Sequence, residues 1–156
     1  MRALLAALLF AGCGPGLPAI YTTACGMVFN GMTDGSPVPL YWSALAIQGI
    51  EDATVKEFQE VTGDARFQYT CQRLNGVHLF VYPQASYQSG GISVDGTTHC
   101  EFSGANIIIG NNGYPRKSSL PHEIAHAVQD CDLGRPWHEG WNENGIFSAI
   151  GRVQAR

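Results

Sequence analysis

The sequence predicts a single α+β domain with a small mixed β-sheet. An amphipathic pattern over residues 42–61 and a second helical pattern near the C-terminus flank short runs rich in aromatic and β-branched residues. Of the 156 residues, 45% are apolar and 14% are charged, a balance that suits one folded domain and excludes extensive intrinsic disorder. We therefore expect an N-terminal helix, the sheet and two C-terminal helices, in that order.

Residues 1–12 are typical of a secretory signal peptide. Arg2 provides a positive start, residues 3–10 are apolar, and small residues precede Cys13. Residues 9–13 (LFAGC) also resemble the bacterial lipoprotein signal, which implies lipidation of Cys13. We expect export, either to the bacterial cell envelope with a lipid anchor at Cys13 or as a freely secreted protein. The longest apolar run has about half of the roughly 20 residues that a membrane-spanning helix requires.

The segment that follows the signal peptide sets the expected start of the folded domain. Residues 13–39 are rich in Gly and Pro, which predicts a tether and irregular structure. The folded domain is therefore expected to span residues 40–156.

The charge balance of the sequence disfavours a nucleic-acid partner. Thirteen acidic and nine basic side chains give a formal net charge of −4. A broad basic surface for binding phosphate backbones is therefore not expected, and we predict no nucleic-acid partner.

The cysteines predict disulfide bonds. Apart from Cys13, the chain contains Cys25, Cys71, Cys100 and Cys131, an even number in a chain that we expect to be exported. Two disulfides are therefore predicted, with three pairings open and free buried thiols as the alternative. No two of these cysteines form a C-x-x-C pair, so the spacing does not indicate a thiolate zinc site.

The middle of the chain contains the signals for the sheet. Asn75-Gly76 is a turn signal between two runs of aromatic and β-branched residues, which predicts a β-hairpin. The Gly- and Ser-rich segment 84–98 predicts a loop. The predicted strands are residues 67–71 and 77–82 in the hairpin, followed by residues 100–102 and 106–109.

Three helical segments are predicted. Residues 42–61 indicate one or two amphipathic pieces, because Gly49 interrupts the apolar positions. Either Ser118 or Ser119 can cap a helix over residues 119–131. A last helix is expected over residues 139–153.

The helix over residues 119–131 contains the residues that point to chemistry. His122-Glu123-Ile124-Ala125-His126 is an H-E-x-x-H sequence, in which two histidines four residues apart project from one face and bind one Zn²⁺. Glu123 lies about 100° around the helix from His122, next to the open side of the metal. The opposite face is apolar and can be buried; it comprises Leu120, Ile124, Ala127, Val128 and Cys131.

A catalytic zinc site needs a third protein ligand. His138 is the favoured candidate because it follows a Gly-x-Pro turn that can return the chain to the open side of the helix. Glu143 and Glu139 are the alternatives. Asp130, one turn after His126, can accept the second ring N–H of a ligand histidine, with a solvated carboxylate at the helix end as the equal alternative.

The H-E-x-x-H sequence resembles the active-site motif of the zincin metallopeptidases, which implies a minimal zincin-like domain. Residues 122–130 (HEIAHAVQD) resemble the helix of the thermolysin-like gluzincins, a resemblance that implies Glu143 as the third ligand. Residues 138–141 (HEGW) are similar to small zincins of the SprT-like kind, which implies His138 instead. The metzincin pattern is absent, since Gln129 and Asp132 stand where Gly and His would be needed.

These residues predict an exported zinc-dependent metallopeptidase that acts on a peptide or protein. Zn²⁺ lowers the pKa of its water to about 7, and Glu123 is the expected general base. The substrate is expected to add as an antiparallel strand at the sheet edge, for which residues 77–82 or 106–109 are candidates. His99, Tyr87 and Tyr114 are open candidates for stabilising the oxyanion.

Two other functions use the same residues. One is a surface protein with a zincin-like fold that binds zinc or a partner without hydrolysing anything. The other is a zinc amidase that acts on non-peptide amides or on cell-wall cross-links. The presence of Glu123 favours hydrolysis over a purely structural zinc site.

Overall fold

The computed structural model describes residues 21–61, 70–102, 104–131 and 137–156. The predicted signal peptide, Cys13 and the first part of the predicted tether lie outside these ranges. The described residues form a five-stranded mixed sheet, a separate two-stranded ladder and several helices, which confirms the α+β class. In these ranges no helix is both long and apolar enough to span a membrane.

In chain order the described strands are β1 (Tyr21–Thr22), β2 (Val28–Met32), β3 (His78–Tyr82), β4 (Tyr87–Ser89), β5 (Ile92–Val94), β6 (Gly96–Glu101) and β7 (Gly104–Gly110). The main sheet has the strand order β1-β2-β3-β7-β6. Its central strands β2, β3 and β7 are mutually parallel, whereas β1 and β6 pair antiparallel at the two edges.

The first long helix is continuous. α1 (Ala44–Val61) runs through Gly49, the position at which the sequence suggested an interruption. The buried side chains of Ile47, Ile50 and Phe58 on one face provide packing that outweighs the roughly 1 kcal/mol cost of a helical glycine. The other helices are α2 (Thr70–Arg73), α3 (Leu120–Ala125) with the π-helical turn His126–Cys131 after it, and α4 (Ile146–Ala155).

The core lies between the sheet and the helices. Alternate residues of β3 and β7 are fully buried, as strand geometry requires when one face of a sheet is covered; they are Leu79, Val81, Ile107 and Ile109. The apolar residues predicted for the buried face of the helix that carries the H-E-x-x-H sequence are also buried, apart from the half-buried Cys131. This packing fixes α3 and the π-helical turn, together called the metal helix (residues 120–131), against β6 and β7.

The prediction of a tether over residues 13–39 is wrong for the part that contains β1 and β2. β1 and β2 belong to the main sheet, and Met27 and Phe29 are fully buried, so the folded domain begins well before residue 40. The glycines provide turns within this structure, since Gly26 adopts a φ of 90° where an added Cβ would approach Asn75. β2 pairs with β3, about 50 residues away in the sequence, and no local pattern reveals such a pairing.

The predicted hairpin around Asn75-Gly76 is also wrong. A turn does exist there, with Gly76 at a φ of 80°, but it follows helix α2 rather than a strand. Both sides of β3 are occupied by parallel partners, β2 and β7. Residues 67–69 of the predicted first strand lie outside the described residues.

The segment predicted as a loop over residues 84–98 contains strands. β4 and β5 form a short antiparallel ladder, and β6 begins at Gly96 rather than at residue 100. The strand at this edge of the sheet therefore differs from the two segments that the sequence analysis considered. Residues 77–82 and 106–109 lie in or beside internal strands, and β6 is the edge strand next to the metal helix.

The last helix begins later than predicted. α4 starts at Ile146, whereas the segment that includes Trp141 forms turns. Gly140 and Gly145 adopt positive φ values of 74° and 71° and interrupt the helical pattern that begins at Glu139.

Two disulfides are present, which confirms the prediction from the cysteine count. Cys25 pairs with Cys71, and Cys100 pairs with Cys131. The first links the N-terminal segment to α2. The second links β6 to the end of the metal helix.

Candidate metal centre

Three histidines converge at one end of the metal helix. His122 lies in α3, His126 begins the π-helical turn, and His138 lies in the turns before α4. The Nε2 atom of His122 is 3.1 Å from the Nε2 atoms of both His126 and His138. The ligand atoms of all three lie within 4.8 Å of one another, close enough to bind a metal ion.

The spacing of these nitrogens fits a tetrahedral zinc ion. Zinc binds imidazole nitrogen at 2.0–2.1 Å, and tetrahedral geometry then places two such nitrogens about 3.3 Å apart. The observed 3.1 Å separations are close to this value. Three imidazoles cannot satisfy one another by hydrogen bonds alone, because a neutral ring has a single N–H. The convergent lone pairs therefore fit a shared cation.

The protonation state of the histidines also suits a metal. Burial, together with the neighbouring His126 and His138, lowers the pKa of His122 to about 4. Burial and the His138 side chain likewise lower the pKa of His126 to about 3. Both rings are neutral near pH 7, which is the form that binds metal.

Asp130 connects two of the three histidines. Its Oδ2 atom lies 2.5 Å from His126 Nδ1 and accepts a hydrogen bond from the main-chain N–H of His138 at 3.3 Å. Because a carboxylate only accepts, the ring hydrogen of His126 is on Nδ1 and its Nε2 lone pair faces the site. Burial raises the pKa of Asp130, and the His138 N–H opposes that shift.

The metal helix begins and continues in a way that brings these groups together. Ser118 Oγ accepts a hydrogen bond from the N–H of Leu120 at the start of α3. The helix then widens into the π-helical turn at His126, and both His126 and Asp130 lie in the wider part. π-helical turns are frequent at functional sites because they shift side chains relative to a regular helix.

Aromatic rings surround the histidines. Trp141 is fully buried and lies beneath all three, with ring centroids 4.6–5.1 Å from theirs. Trp137 and Phe147 are 53% and 40% exposed and form the outer wall, so they are accessible to a bound molecule. Trp141 is therefore a packing residue.

Glu123 lies beside the three histidines and is held by the edge strand. Its side chain is 5% exposed, and its Oε2 atom accepts a hydrogen bond from Thr98 Oγ1 at 2.8 Å. The pKa of Glu123 is raised to about 7, because burial and the charge of Asp95 raise it by more than the Thr98 hydrogen bond lowers it.

A cleft of about 720 Å³ adjoins His122. This volume is within the range of small-molecule sites. Both His122 and Glu123 line the cleft, together with Asp95 and Gly96 on the side of β6 and Phe147 on α4. The carboxylate of Glu123 therefore borders a space that a substrate can enter.

The structure separates the other predicted site residues from this centre. Glu139 and Glu143, the alternative third ligands, are exposed, and within the described ranges neither belongs to the group of ligand atoms. His99 lies on the opposite face of β6 from Thr98 and lines a different cavity, with Phe80.

The two tyrosines considered for the oxyanion are also placed away from the centre. The hydroxyl of Tyr87 is hydrogen-bonded to Thr97 Oγ1 and to the main-chain oxygen of Ile108. Tyr114 is 68% exposed and lines a separate cavity.

Thr98 is the site residue that the sequence did not indicate. It precedes Glu123 by 25 positions and occurs in a segment interpreted as a loop. Burial in β6 does not alternate regularly, so no two-residue pattern identifies Thr98.

Comparison of the chain with protein-family models, with curated proteins and with solved structures finds no match.

Proposed function

We propose that the chain is an exported zinc-dependent hydrolase that cleaves amide bonds in peptides or proteins. The zinc ligands are His122, His126 and His138, and Glu123 is the general base. The proposal is carried by the position of Glu123, whose carboxylate borders the same cleft as His122 beside three convergent imidazoles.

The number of ligands supports catalysis over a structural role. Structural zinc sites close their coordination with a fourth protein ligand, whereas catalytic sites leave one position open. In the described part of the chain the cluster of ligand atoms contains three histidines and no fourth member. A non-hydrolytic zinc site, the alternative from another class, would leave the acidic residue next to that opening without a purpose.

The reaction follows from these roles. Bound zinc supplies a water molecule with a pKa near 7 and a Lewis acid for the carbonyl oxygen of the substrate. Glu123 takes one proton from the attacking water as the new C–O bond forms, and passes it to the nitrogen as the C–N bond breaks. Asp130 keeps His126 in the tautomer that binds metal.

The edge strand supplies a way to bind the substrate. β6 pairs with β7 on one side and with no described strand on the other. An extended peptide that pairs with this free side lies along the cleft. β6 replaces the two segments that the sequence analysis considered for this role.

The proposal is tested with the purified exported protein and three variants. Zinc content is measured by elemental analysis, and hydrolysis with denatured casein and with a quenched-fluorescent peptide library. We expect Glu123→Gln to retain zinc and lose about 10²–10⁴-fold in rate, the usual contribution of a general base. His126→Ala should lose both zinc and hydrolysis. Glu143→Gln is the matched control, because this exposed carboxylate lies close in sequence but outside the cluster.

The same assays, with peptidoglycan fragments added as substrates, separate the alternatives. Stoichiometric zinc with no hydrolysis of protein, peptide or peptidoglycan fragments would support the non-hydrolytic surface protein. Hydrolysis of peptidoglycan fragments alone would support the cell-wall amidase. Undiminished cleavage by Glu123→Gln would remove the general-base assignment.

A further inference from the structure

Three residues of β6 face the metal helix. Residues two apart in a strand share a face, and Gly96, Thr98 and Cys100 are such a series. Cys100 is bonded to Cys131 at the end of the metal helix, and Thr98 is hydrogen-bonded to Glu123. Gly96 lies where an added Cβ would meet the Glu123 side chain. The edge strand is thus attached to the helix at Thr98 and Cys100, and Gly96 leaves room for Glu123.

The hydroxyl of Thr98 contacts both the side chain and the main chain of Glu123. The hydroxyl Oγ1 lies 2.8 Å from Oε2 of Glu123 and 3.1 Å from its main-chain oxygen. Thr98 is 6% exposed, so water does not replace this contact. The single hydroxyl hydrogen can be donated to either oxygen, and the shorter distance favours the carboxylate. A buried carboxylate requires such a donor.

Gly96 leaves the space that the Glu123 side chain occupies. A Cβ at position 96 would lie 3.0 Å from both Cγ and Oε1 of Glu123 and would collide with Ser119 Oγ. Ser119 is itself fixed, because its hydroxyl donates to the main-chain oxygen of Asp95 at 2.9 Å. Any residue larger than glycine therefore displaces the carboxylate or the start of the metal helix.

We infer that β6 positions the general base: Thr98 fixes Oε2 of Glu123, and Gly96 provides the gap in which Oε1 lies beside the cleft. The inference rests on the proposed function, because it assigns the two residues to the orientation of Glu123. Thr98 and Gly96 are positioning residues that act through Glu123. With Oε2 bound to Thr98, Oε1 is the atom that accepts the proton from water.

A purely structural role for Thr98 makes a different prediction. If its hydroxyl only joined β6 to the metal helix, its removal would lower stability and leave the turnover of the folded protein unchanged. If it orients the carboxylate, kcat falls while KM and zinc content do not change. Displacement of a catalytic group by about 1 Å is enough for a loss of the order of 10²-fold.

The test compares Thr98→Val, Thr98→Ser and Thr97→Val in the full exported protein. Valine keeps the shape and removes the hydroxyl, whereas serine restores it. Thr97→Val is the matched control, because Thr97 is on the opposite face of the same strand and contacts Tyr87. We expect Thr98→Val to lower kcat about 10–100-fold with unchanged KM and zinc content, and Thr98→Ser to return kcat to within a few-fold of wild type.

A second measurement does not depend on activity. The ¹³Cδ chemical shift of Glu123, recorded in the zinc-free protein at one fixed pH, reports the hydrogen bond to its carboxylate. We expect this shift to move in Thr98→Val, to return in Thr98→Ser and to stay in place in Thr97→Val. Gly96→Ala should retain zinc and lose turnover, with a melting curve to establish that it is folded.

The outcomes separate this inference from the proposed function. If the wild type hydrolyses nothing, the proposed function has failed, and the Glu123 chemical shift alone decides whether Thr98 holds the carboxylate. If the wild type is active but Thr98→Val loses no more kcat than Thr97→Val, the positioning role is overturned. An unchanged Glu123 shift in Thr98→Val overturns it as well.

Discussion

Asp130 and His126 form a hydrogen-bonded pair within the π-helical turn, with Asp130 Oδ2 2.5 Å from His126 Nδ1. Both side chains are almost fully buried. The same oxygen receives the main-chain N–H of His138. One carboxylate thus orients two of the three histidines, one through its ring and the other through its backbone.

Removal of this carboxylate should weaken metal binding. We expect Asp130→Ala to lower zinc affinity about 10–100-fold, the usual effect of losing the group that orients a ligand histidine. The affinity is measured by competition with a chromogenic chelator. Glu143→Ala serves as the control and should bind zinc as the wild type does. Equal affinities of Asp130→Ala and wild type would contradict this role.

The Cys100–Cys131 disulfide should support both stability and metal binding. It joins residues 31 apart in the sequence, and its loss in the double variant C100A/C131A should cost roughly 3–4 kcal/mol in the free energy of unfolding. Because Cys131 ends the turn that contains His126 and Asp130, zinc affinity should fall as well. Urea denaturation and chelator competition measure the two effects.

The other disulfide provides the matched control. Cys25–Cys71 joins residues 46 apart and should contribute a similar free energy, about 4 kcal/mol. It lies at α2, and neither cysteine belongs to the metal helix or to β6. C25A/C71A should therefore lose stability but retain zinc affinity. Equal losses of zinc affinity in both double variants would show that the effect is one of general stability.

Peptide mapping can establish the pairing directly. Proteolysis of the purified protein without reduction should release Cys25 linked to Cys71 and Cys100 linked to Cys131. No alkylation of these four thiols is expected before reduction. Any other pair of linked peptides would contradict the fold, because it would require different contacts between β6 and the metal helix.

Glu57 should make stability depend on pH. This buried carboxylate joins α1 to α4 through Arg152, whose Nε lies 2.6 Å from Oε2, and through Arg156. The hydrogen bond from Arg152 lowers the pKa of Glu57 below its ordinary 4.5, against the opposing effect of burial. The ionised form is therefore favoured by folding. Its stabilising contribution is complete well above pH 4.5 and disappears as the pH falls through the lowered pKa.

The variant Glu57→Gln tests this dependence. At pH 7 it should unfold with a free energy about 1–3 kcal/mol lower than the wild type, the range for hydrogen bonds to charged groups. The difference should shrink when urea denaturation is repeated near pH 3. Glu60→Gln is the control, since the Lys56–Glu60 pair is exposed and should change stability by less than about 1 kcal/mol. A difference that stays constant with pH would rule out the ionisation of Glu57 as its cause.

The metal cluster was predictable because its signal is local. His122 and His126 occupy one face of a helix, and the H-E-x-x-H spacing alone indicated this pair. The Gly-x-Pro turn signal before His138 favoured it as the third ligand, with Glu143 and Glu139 as alternatives, and the structure brings His138 within 4.8 Å of the other two. Asp130 was a candidate because it lies one helical turn after His126.

The rest of the site depends on contacts that are distant in sequence. Thr98 reaches Glu123 only because β6 returns antiparallel to β7 and lies against the metal helix. The parallel pairing of β2 with β3 likewise joins residues about 50 positions apart, and so the strand at 28–32 was interpreted as tether. A turn signal such as Asn75-Gly76 fixes the local backbone but does not specify whether a strand or a helix precedes it.

His138 adopts a φ of 63°, in the left-handed region. A side chain other than glycine, asparagine or aspartate at such a backbone costs roughly 1–2 kcal/mol. Asparagine at this position would relieve much of that cost and remove the third imidazole. A library of variants selected only for resistance to heat should therefore lose the histidine, whereas one selected for retention of zinc should keep it.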